Sequence, residues 1–257
     1  MSLGKPAGMT ERHHVLLLAG TPEARQLART LAERFPNVRL TASFAGAVSD
    51  IPDPGIPART GGFGGAAGLA AFIEEEQVTF VIDATHPFAD RISRNAVEAA
   101  KDTGVPLVRF ERPEWLRQTG DRWQRVSSLA EAAERLPAEA RVFLAIGRKE
   151  IAAFTHRTDL FAVARMIEPP EVPLPAHWHL ELSRPAQSVE AEEDLLRTYR
   201  ITHLVSKNSG GSRSHAKIEA ARRLGVPVIM IDRPAPSDTQ TCRDREDVLR
   251  LVAQTVT

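Results

Sequence analysis

The sequence predicts an α/β protein with two doubly wound parallel-sheet domains that face a central cleft. Its 257 residues suffice for one large domain or two of ordinary size, and 42% hydrophobic residues can form a sizeable core. Short β-branched or leucine-rich runs alternate with helical patterns along the chain. This alternation is typical of parallel βαβ units.

The first half has the pattern of a complete doubly wound domain. Thr21 is a suitable N-cap for its first helix, and Leu27 and Leu31 share that helix's apolar face. Gly104 is a typical helix stop. The predicted strands cover 13–20, 38–44, a short run before residue 60, 79–85 and 105–113, and the predicted helices cover 21–35, 66–76 and 86–104.

The second half repeats the alternation. Residues 114–128 differ in composition, with two tryptophans and several arginines, and are expected to carry the chain across a boundary. We therefore predict domains at 11–118 and 119–257. The predicted strands cover 141–147, 160–167, 201–207 and 226–232, the predicted helices cover 129–136, 149–155, 188–199, 214–224 and 244–255, and 168–177 is a proline-rich loop.

Charge and composition limit the partners. Basic and acidic residues balance at 33 each, so no overall field favours nucleic acid or an anionic membrane. No apolar run has membrane-spanning length, and the first ten residues lack an apolar signal core. We expect a cytoplasmic protein whose partner is a small molecule. Its charge does not distinguish a monomer from a homodimer.

The cysteine and histidine patterns predict no metal site. Cys242 is the single cysteine, which excludes an intramolecular disulfide and a multi-cysteine metal centre. His13, His14, His177 and His179 show no recognisable ligand spacing.

The stretch TGGFGGAAG surrounds Phe63 with Gly61, Gly62, Gly64 and Gly65, just before a helix. Four glycines within five positions cost conformational entropy on folding, so we expect that the backbone there must be free of side chains. A linker is disfavoured because the stretch lies inside a βα series. Backbone amides at a helix start form an anion-binding concavity, so a phosphate seat is favoured over a tight structural turn.

Two further loops follow predicted strands, where ligands collect in parallel sheets. AGTPEAR has only Gly20 of the three glycines of a dinucleotide fingerprint, so it is either a plain turn or a pyrophosphate site formed with Thr21. In DATHPFAD, His86 could act as a general acid. Alternatively, Asp83 or Thr85 caps the helix and His86 only bonds within the loop.

The stretch SKNSGGSRSHAK combines a strand end, glycines and cations before a helix. It lacks the order of a P-loop, so ATP hydrolysis by that machinery is disfavoured. Its alternatives are an anion site and a solvated helix start. Arginines cluster nearby in sequence and suit the carboxylates of an acidic small molecule; they are Arg109, Arg112, Arg117, Arg122, Arg125 and Arg148.

Taken together, these stretches resemble the precorrin-6A reductases of corrinoid biosynthesis. The resemblance is carried by GT-x-E, GGFGG, DATHPFA and a late KNSGG…K…AA-x-x-LG-VPV-x-x-x-x-RP, in order from about Val15 to Pro234. It implies two Rossmann-like domains and NADPH-dependent reduction of a double bond in a ring-contracted tetrapyrrole, giving precorrin-6B. Close relatives reduce the cobalt-containing substrate, and the sequence does not distinguish the two.

The resemblance also implies roles for individual residues. His86 is the candidate proton donor, with solvent as the alternative. An acidic residue closing the second strand would favour NADH, and its absence favours NADPH. The expected cofactor-binding residues are Gly20, Thr21, Glu23, Ser43, Phe44, Gly46, Gly61, Gly62, Phe63, Gly64, Gly65 and Thr85. The expected residues for a polycarboxylate tetrapyrrole are His86, Arg91, Arg148, Lys207, Asn208, Ser209, Gly210 and Lys217.

Two other interpretations compete with this one. A short-chain or NmrA-like reductase would carry a Tyr-x-x-x-Lys pair, but Tyr199 is followed four residues later by His203. A non-catalytic two-domain protein would bind a nucleotide or sugar phosphate through the same glycine loops.

Overall fold

The computed structural model describes residues 13–44, 53–235 and 238–256, and it confirms the predicted α/β class. The chain forms two compact units. One contains the described residues up to Arg112 and those from Ala235 onward, and the other runs from Pro113 to Pro234.

The elements of both units are numbered together along the chain. The strands are β1 (His14–Ala19), β2 (Arg39–Phe44), β3 (Ala58–Thr60), β4 (Phe80–Ala84), β5 (Leu107–Phe110), β6 (Trp123–Val126), β7 (Arg141–Ala145), β8 (Phe161–Met166), β9 (His179–Leu182), β10 (His203–Lys207), β11 (Val228–Ile231) and β12 (Gln240–Cys242). The helices are α1 (Pro22–Arg34), α2 (Ala66–Glu75), α3 (Asp90–Thr103), α4 (Leu129–Arg135), α5 (Val189–Thr198), α6 (Ala216–Leu224) and α7 (Arg245–Val256).

The first unit has one parallel sheet in the order β12-β5-β4-β1-β2-β3. Read from its far edge, this arrangement matches 3-2-1-4-5-6, the order of a dinucleotide-binding Rossmann fold. The chain winds outward from β1 through β3 and then crosses back to β4. The topological switch point therefore lies between the carboxyl ends of β1 and β4, where ligands bind in such sheets.

Local sequence explains the first βα turn. The Thr21 hydroxyl accepts a hydrogen bond from the Ala24 amide at 3.0 Å and caps α1. Leu27 and Leu31 are fully buried in the core that β1 and β2 share. The turn after β1 is consequently fixed at both ends, and it holds Gly20 exposed at the sheet edge.

The carboxyl-terminal segment returns to the first unit, which differs from the predicted boundary at 118/119. β12 pairs with β5 in parallel, and Val248, Leu249 and Val252 of α7 join the core around β1. The prediction of one domain over 119–257 follows chain order alone. In the structure, burial of the apolar face of α7 places the carboxyl-terminal segment in the first unit. The chain passes from the first unit to the second after Arg112.

The second unit has a parallel sheet in the order β6-β11-β10-β7-β8-β9. Its chain winds from β7 outward to β9 and then crosses back to β10, so its switch point lies between β7 and β10. The predicted helix 149–155 is only a 3₁₀ turn, Ile151–Ala153. The strands β6, β9 and β12 lie outside the sequence prediction, because three- and four-residue edge strands carry too little periodicity to detect.

No helix within the described ranges is long and apolar enough to span a membrane.

The single cysteine offers a test of how the carboxyl-terminal segment docks. Cys242 in β12 is 6% exposed, and burial, followed by the nearby Asp247 carboxylate, raises the pKa of its thiol. Because less thiolate forms at a given pH and the thiol is shielded, we expect native Cys242 to react with an aromatic disulfide at pH 8 far more slowly than in urea. Leu249→Ala should accelerate the native reaction, because it removes a buried side chain at a cost of about 2–5 kcal/mol.

Cys242→Ser provides the blank for this measurement, since the chain has no other cysteine. Equal rates in the folded and unfolded protein would contradict the docked position of β12.

Candidate functional site at the switch point of the first sheet

Two of the loops singled out by sequence meet at the switch point between β1 and β4. A Cβ atom placed on Gly20 would lie 3.5 Å from the His86 amide nitrogen and 3.6 Å from the Thr85 Cα. The Thr21 hydroxyl also donates to the Ala84 carbonyl at 3.3 Å. The structure thus brings Gly20, Thr21, Thr85 and His86 together, as expected for residues at adjacent strand ends.

A buried ion pair between β4 and β5 fixes the start of the loop that contains Thr85 and His86. Asp83 and Arg109 are 2% and 6% exposed, and Arg109 Nη1 lies 2.6 Å from Asp83 Oδ2. The other carboxylate oxygen of Asp83 accepts from the Thr85 amide at 3.1 Å and the Thr85 hydroxyl at 2.6 Å. Arg109 also donates to Ser93 in α3 and to Glu111 at 3.3 Å.

The charge of Arg109 is secured by its partners. Burial alone would lower the pKa of the guanidinium, but the neighbouring Asp83 and Glu111 carboxylates more than offset it, and the pKa is raised above its ordinary value. From sequence, Arg109 belongs to a cluster of arginines that suit ligand carboxylates, with ordinary surface charges as the alternative. Its hydrogen bonds instead fix Asp83, and through Asp83 the position of Thr85.

His86 has a defined tautomer when it is neutral. Its Nδ1 accepts a hydrogen bond from the Phe88 amide at 3.2 Å, so Nδ1 carries no proton and Nε2 carries one. The ring is half-buried and lies 5.9 Å from that of Phe88. This arrangement suits a hydrogen-bond donor at Nε2, because protonation of Nδ1 would break the bond to Phe88.

The glycine loop is open at most of its positions. A Cβ atom on Gly61, Gly62, Gly64 or Gly65 would meet no atom within 4 Å. Gly61, Gly64 and Gly65 have φ of 114°, 88° and 98°, values that glycine alone adopts readily. Gly65 is the N-cap of α2 and provides no side-chain hydrogen bond there. This backbone therefore borders open space, as an anion seat requires.

One glycine at this loop serves packing instead. A Cβ atom on Gly68 would lie 1.8 Å from the Phe63 carbonyl oxygen, so α2 and the loop approach too closely for any side chain. The ring of Phe63 packs edge-on against Phe72 with centroids 5.2 Å apart. Phe63 thus behaves as an anchor of the loop to α2.

The end of β2 lies beside an arginine that the sequence motifs do not indicate. Ser43 and Phe44 are buried at this strand end, and Gly46 lies outside the described residues. Arg59 of the neighbouring strand β3 donates to the Ser43 hydroxyl at 2.9 Å. The sequence signal is weak, because a lone arginine in a three-residue strand has no motif around it.

Glu23 lies at the same edge of the sheet. Its carboxylate pairs with Arg112 at 2.7 Å, where Arg112 follows β5. This contact ties the first turn of α1 to the end of β5. Arg91, expected to bind substrate, is exposed in the first turn of α3.

In the second unit, two expected substrate residues lie near the ends of β7 and β10. Lys207 is buried and forms an ion pair with Glu150 at 2.7 Å. A Cβ atom on Gly147, which has φ of 122°, would lie 2.8 Å from a Glu150 carboxylate oxygen. Glycine at this position therefore leaves room for the Glu150 side chain that pairs with Lys207. Arg148 pairs with Glu168 at 2.6 Å.

The remaining loop residues of the second unit make contacts inside the fold. Asn208 is 2% exposed; its amide oxygen accepts from the Trp115 amide at 2.9 Å, and its amide nitrogen donates to the Trp115 carbonyl at 3.1 Å. A Cβ atom on Gly210 would lie 2.0 Å from the Pro113 carbonyl oxygen. Lys217 donates to the Ser214 carbonyl at 2.7 Å, and the Ser209 carbonyl accepts from Arg233 at 3.2 Å.

Three of these residues thus have structural contacts that the sequence does not predict. Asn208 and Gly210 hold residues 113–115 against the loop, and Lys217 lies 5.0 Å from the centre of the Trp115 ring. Lys207 and Arg148 lie beside the switch point of the second sheet, each paired with a glutamate. Across the described part of the chain, no group of three or more His, Cys, Asp or Glu residues could hold a metal ion.

The buried pair predicts a large effect on stability. Arg109→Met leaves the Asp83 carboxylate buried without its cation, so we expect a loss of about 3–5 kcal/mol in the free energy of unfolding, measured by urea denaturation. Asp83→Asn combined with Arg109→Met should recover part of that loss. If the double variant were as unstable as the sum of both single variants, Asp83 and Arg109 would not be acting as a pair.

Comparisons with known proteins find relatives along nearly the whole chain. The family model for precorrin-6x reductase CbiJ/CobK matches residues 14–253. Precorrin-6A reductases of Rhodococcus erythropolis and Rhodobacter capsulatus are 47% and 45% identical, covering 90% and 93% of this chain and 93% and 95% of theirs. A solved CobK precorrin-6A reductase superposes with a TM-score of 0.88 at 44% identity, covering 95% of this chain and 97% of that one. The chain therefore belongs to the precorrin-6x reductase family.

Proposed function

We propose that this chain reduces a double bond of precorrin-6A with NADPH and yields precorrin-6B, acting in the cytoplasm as a monomer or homodimer. Membership of the family makes it a reductase of corrin biosynthesis. The observation that carries the cofactor proposal is the switch point of the first sheet. There an exposed glycine and a capped helix start adjoin the end of β4, and an open glycine loop follows β3 at the same edge.

The residues present fit a dinucleotide. Gly20 is exposed and starts the turn into α1, where backbone amides and the helix dipole favour a pyrophosphate. The open backbone of residues 61–65 supplies a second seat for negative charge. Ser43 rather than an acid stands at the end of β2, which favours a phosphorylated ribose. We assign the cofactor to these residues and to Thr85.

The protein's contribution to the reaction is positioning. The reduced nicotinamide supplies the hydride when bound, so no protein nucleophile is required. Asp83 fixes Thr85 through two hydrogen bonds, and the neighbouring His86 presents Nε2–H as a donor. We assign His86 to a polar group of the substrate, where its hydrogen bond orients the macrocycle. His86 is also the candidate donor of the proton that the reduced substrate takes up, with solvent as the alternative donor.

The acidic substrate needs cations. Lys207 and Arg148 lie beside the switch point of the second sheet, and each is paired with a glutamate. Lys207 is buried and Arg148 is half-buried, so each cation keeps a glutamate counter-charge until a substrate carboxylate competes for it. We assign Lys207 and Arg148 to carboxylates of the tetrapyrrole.

Gly62 provides a clean test of the cofactor seat. It lacks a positive φ, and a Cβ atom at this position would have no other atom within 4 Å, so it accepts a side chain without strain. Gly62→Asp places a carboxylate beside the cofactor phosphates, and Gly62→Asn has nearly the same shape without charge. In titrations followed by nicotinamide fluorescence, we expect Asp to raise the Kd for NADPH roughly 10-fold or more above that of Asn.

The same titration tests the proposed function as a whole. Equal affinities for Gly62→Asp and Gly62→Asn would remove the loop from the cofactor site. A wild-type protein that binds neither NADPH nor NADH would overturn the reductase proposal and leave a protein that binds some other anion.

His86 is tested by its turnover. His86→Ala should lower kcat for precorrin-6A at saturating NADPH by about 10²-fold, the lower end for a positioned acid or base. His86→Gln retains a neutral N–H donor and should recover part of that loss if hydrogen bonding is the main role. Unchanged turnover in His86→Ala would remove the residue from the mechanism.

A further inference from the structure

Arg59 occupies a defined place at the edge of the first sheet. It lies in β3, directly opposite Ser43 of β2 in the parallel register. In doubly wound dinucleotide-binding sheets, the end of the second strand is where the adenosine ribose lies. An arginine beside that strand end is therefore in reach of the ribose 2′ position.

The guanidinium of Arg59 is held in one orientation. Nη1 donates to the Ser43 hydroxyl at 2.9 Å and to the Gly61 carbonyl at 3.2 Å, and Nη2 donates to the Gly62 carbonyl at 3.3 Å. Its central carbon lies 4.0 Å from the centre of the Phe63 ring. A planar cation stacked on an aromatic face is oriented before any ligand arrives.

The contacts of Arg59 differ from those of other arginines at this end of the sheet. Arg109 pairs with Asp83, and Arg112 pairs with Glu23. Within residues 13–44, 53–235 and 238–256, the contacts found for Arg59 are with a hydroxyl, two carbonyls and two aromatic rings, all neutral. A half-buried cation with neutral neighbours attracts an anion of matching geometry.

We propose that Arg59 is the residue by which this chain recognises the 2′-phosphate of its dinucleotide, and so prefers NADPH to NADH. The inference rests on the proposed function, and it names a specificity residue for it. Arg59 provides the charge, and Ser43 provides a hydroxyl at the same point. Phe63 and the carbonyls of Gly61 and Gly62 keep the guanidinium in place.

The test compares two nucleotides in two variants. Arg59→Gln removes the charge, and Arg94→Gln is a matched control, because Arg94 lies on α3 with a side chain that is 69% exposed. Each protein is titrated with NADPH and with NADH by nicotinamide fluorescence, and 2′,5′-ADP is used as a competitor. We expect Arg59→Gln to weaken NADPH roughly 10- to 100-fold, the value of a charge-assisted hydrogen bond, and to leave NADH within about twofold.

Each other outcome has a distinct meaning. An equal loss of NADPH and NADH in Arg59→Gln would show that Arg59 only clamps the glycine loop, and would overturn the inference while the reductase proposal stands. A wild-type protein that binds NADPH no better than NADH would also overturn it. If the wild type binds neither nucleotide, the proposed function fails together with the inference. Circular dichroism spectra of both variants serve as the control for folding.

Discussion

The buried pair of Asp83 and Arg109 determines how the first sheet presents its loops. One carboxylate oxygen binds the guanidinium and the other binds Thr85, so a single ion pair joins β4, β5 and the start of the next loop. Charges in such a place are stable only with their partners. The pair thus holds Thr85 next to Gly20, where an added Cβ atom would lie 3.6 Å from the Thr85 Cα.

The cations near the two switch points differ in the partners that surround them. Arg109 and Arg112 are bound to carboxylates that belong to the fold. Lys207 and Arg148 pair with Glu150 and Glu168 beside the switch point of the second sheet. Arg59 has only neutral contacts among the described residues. The sequence contains many arginines, but their partners assign the roles.

Much of the fold is predictable because its strands and helices are locally encoded. β1 and β4 are continuous apolar runs, and α1 has a Thr21 cap and a 3.6-residue apolar period. The observed bounds of all three fall within two residues of the predicted ones. The domain boundary is not predictable in the same way. β12 and α7 join the first sheet through contacts with residues more than a hundred positions away.

The sequence by itself determined the fold class, the family resemblance and the placement of glycines before α2, because each depends on short-range pattern and order. Only the tertiary structure decided which residues act together. In the structure Arg109 pairs with Asp83, Asn208 hydrogen-bonds the Trp115 backbone, and Arg59 donates to the Ser43 hydroxyl. These contacts join separate strands and loops, and their distances depend on sheet register and packing, which no local stretch of sequence specifies.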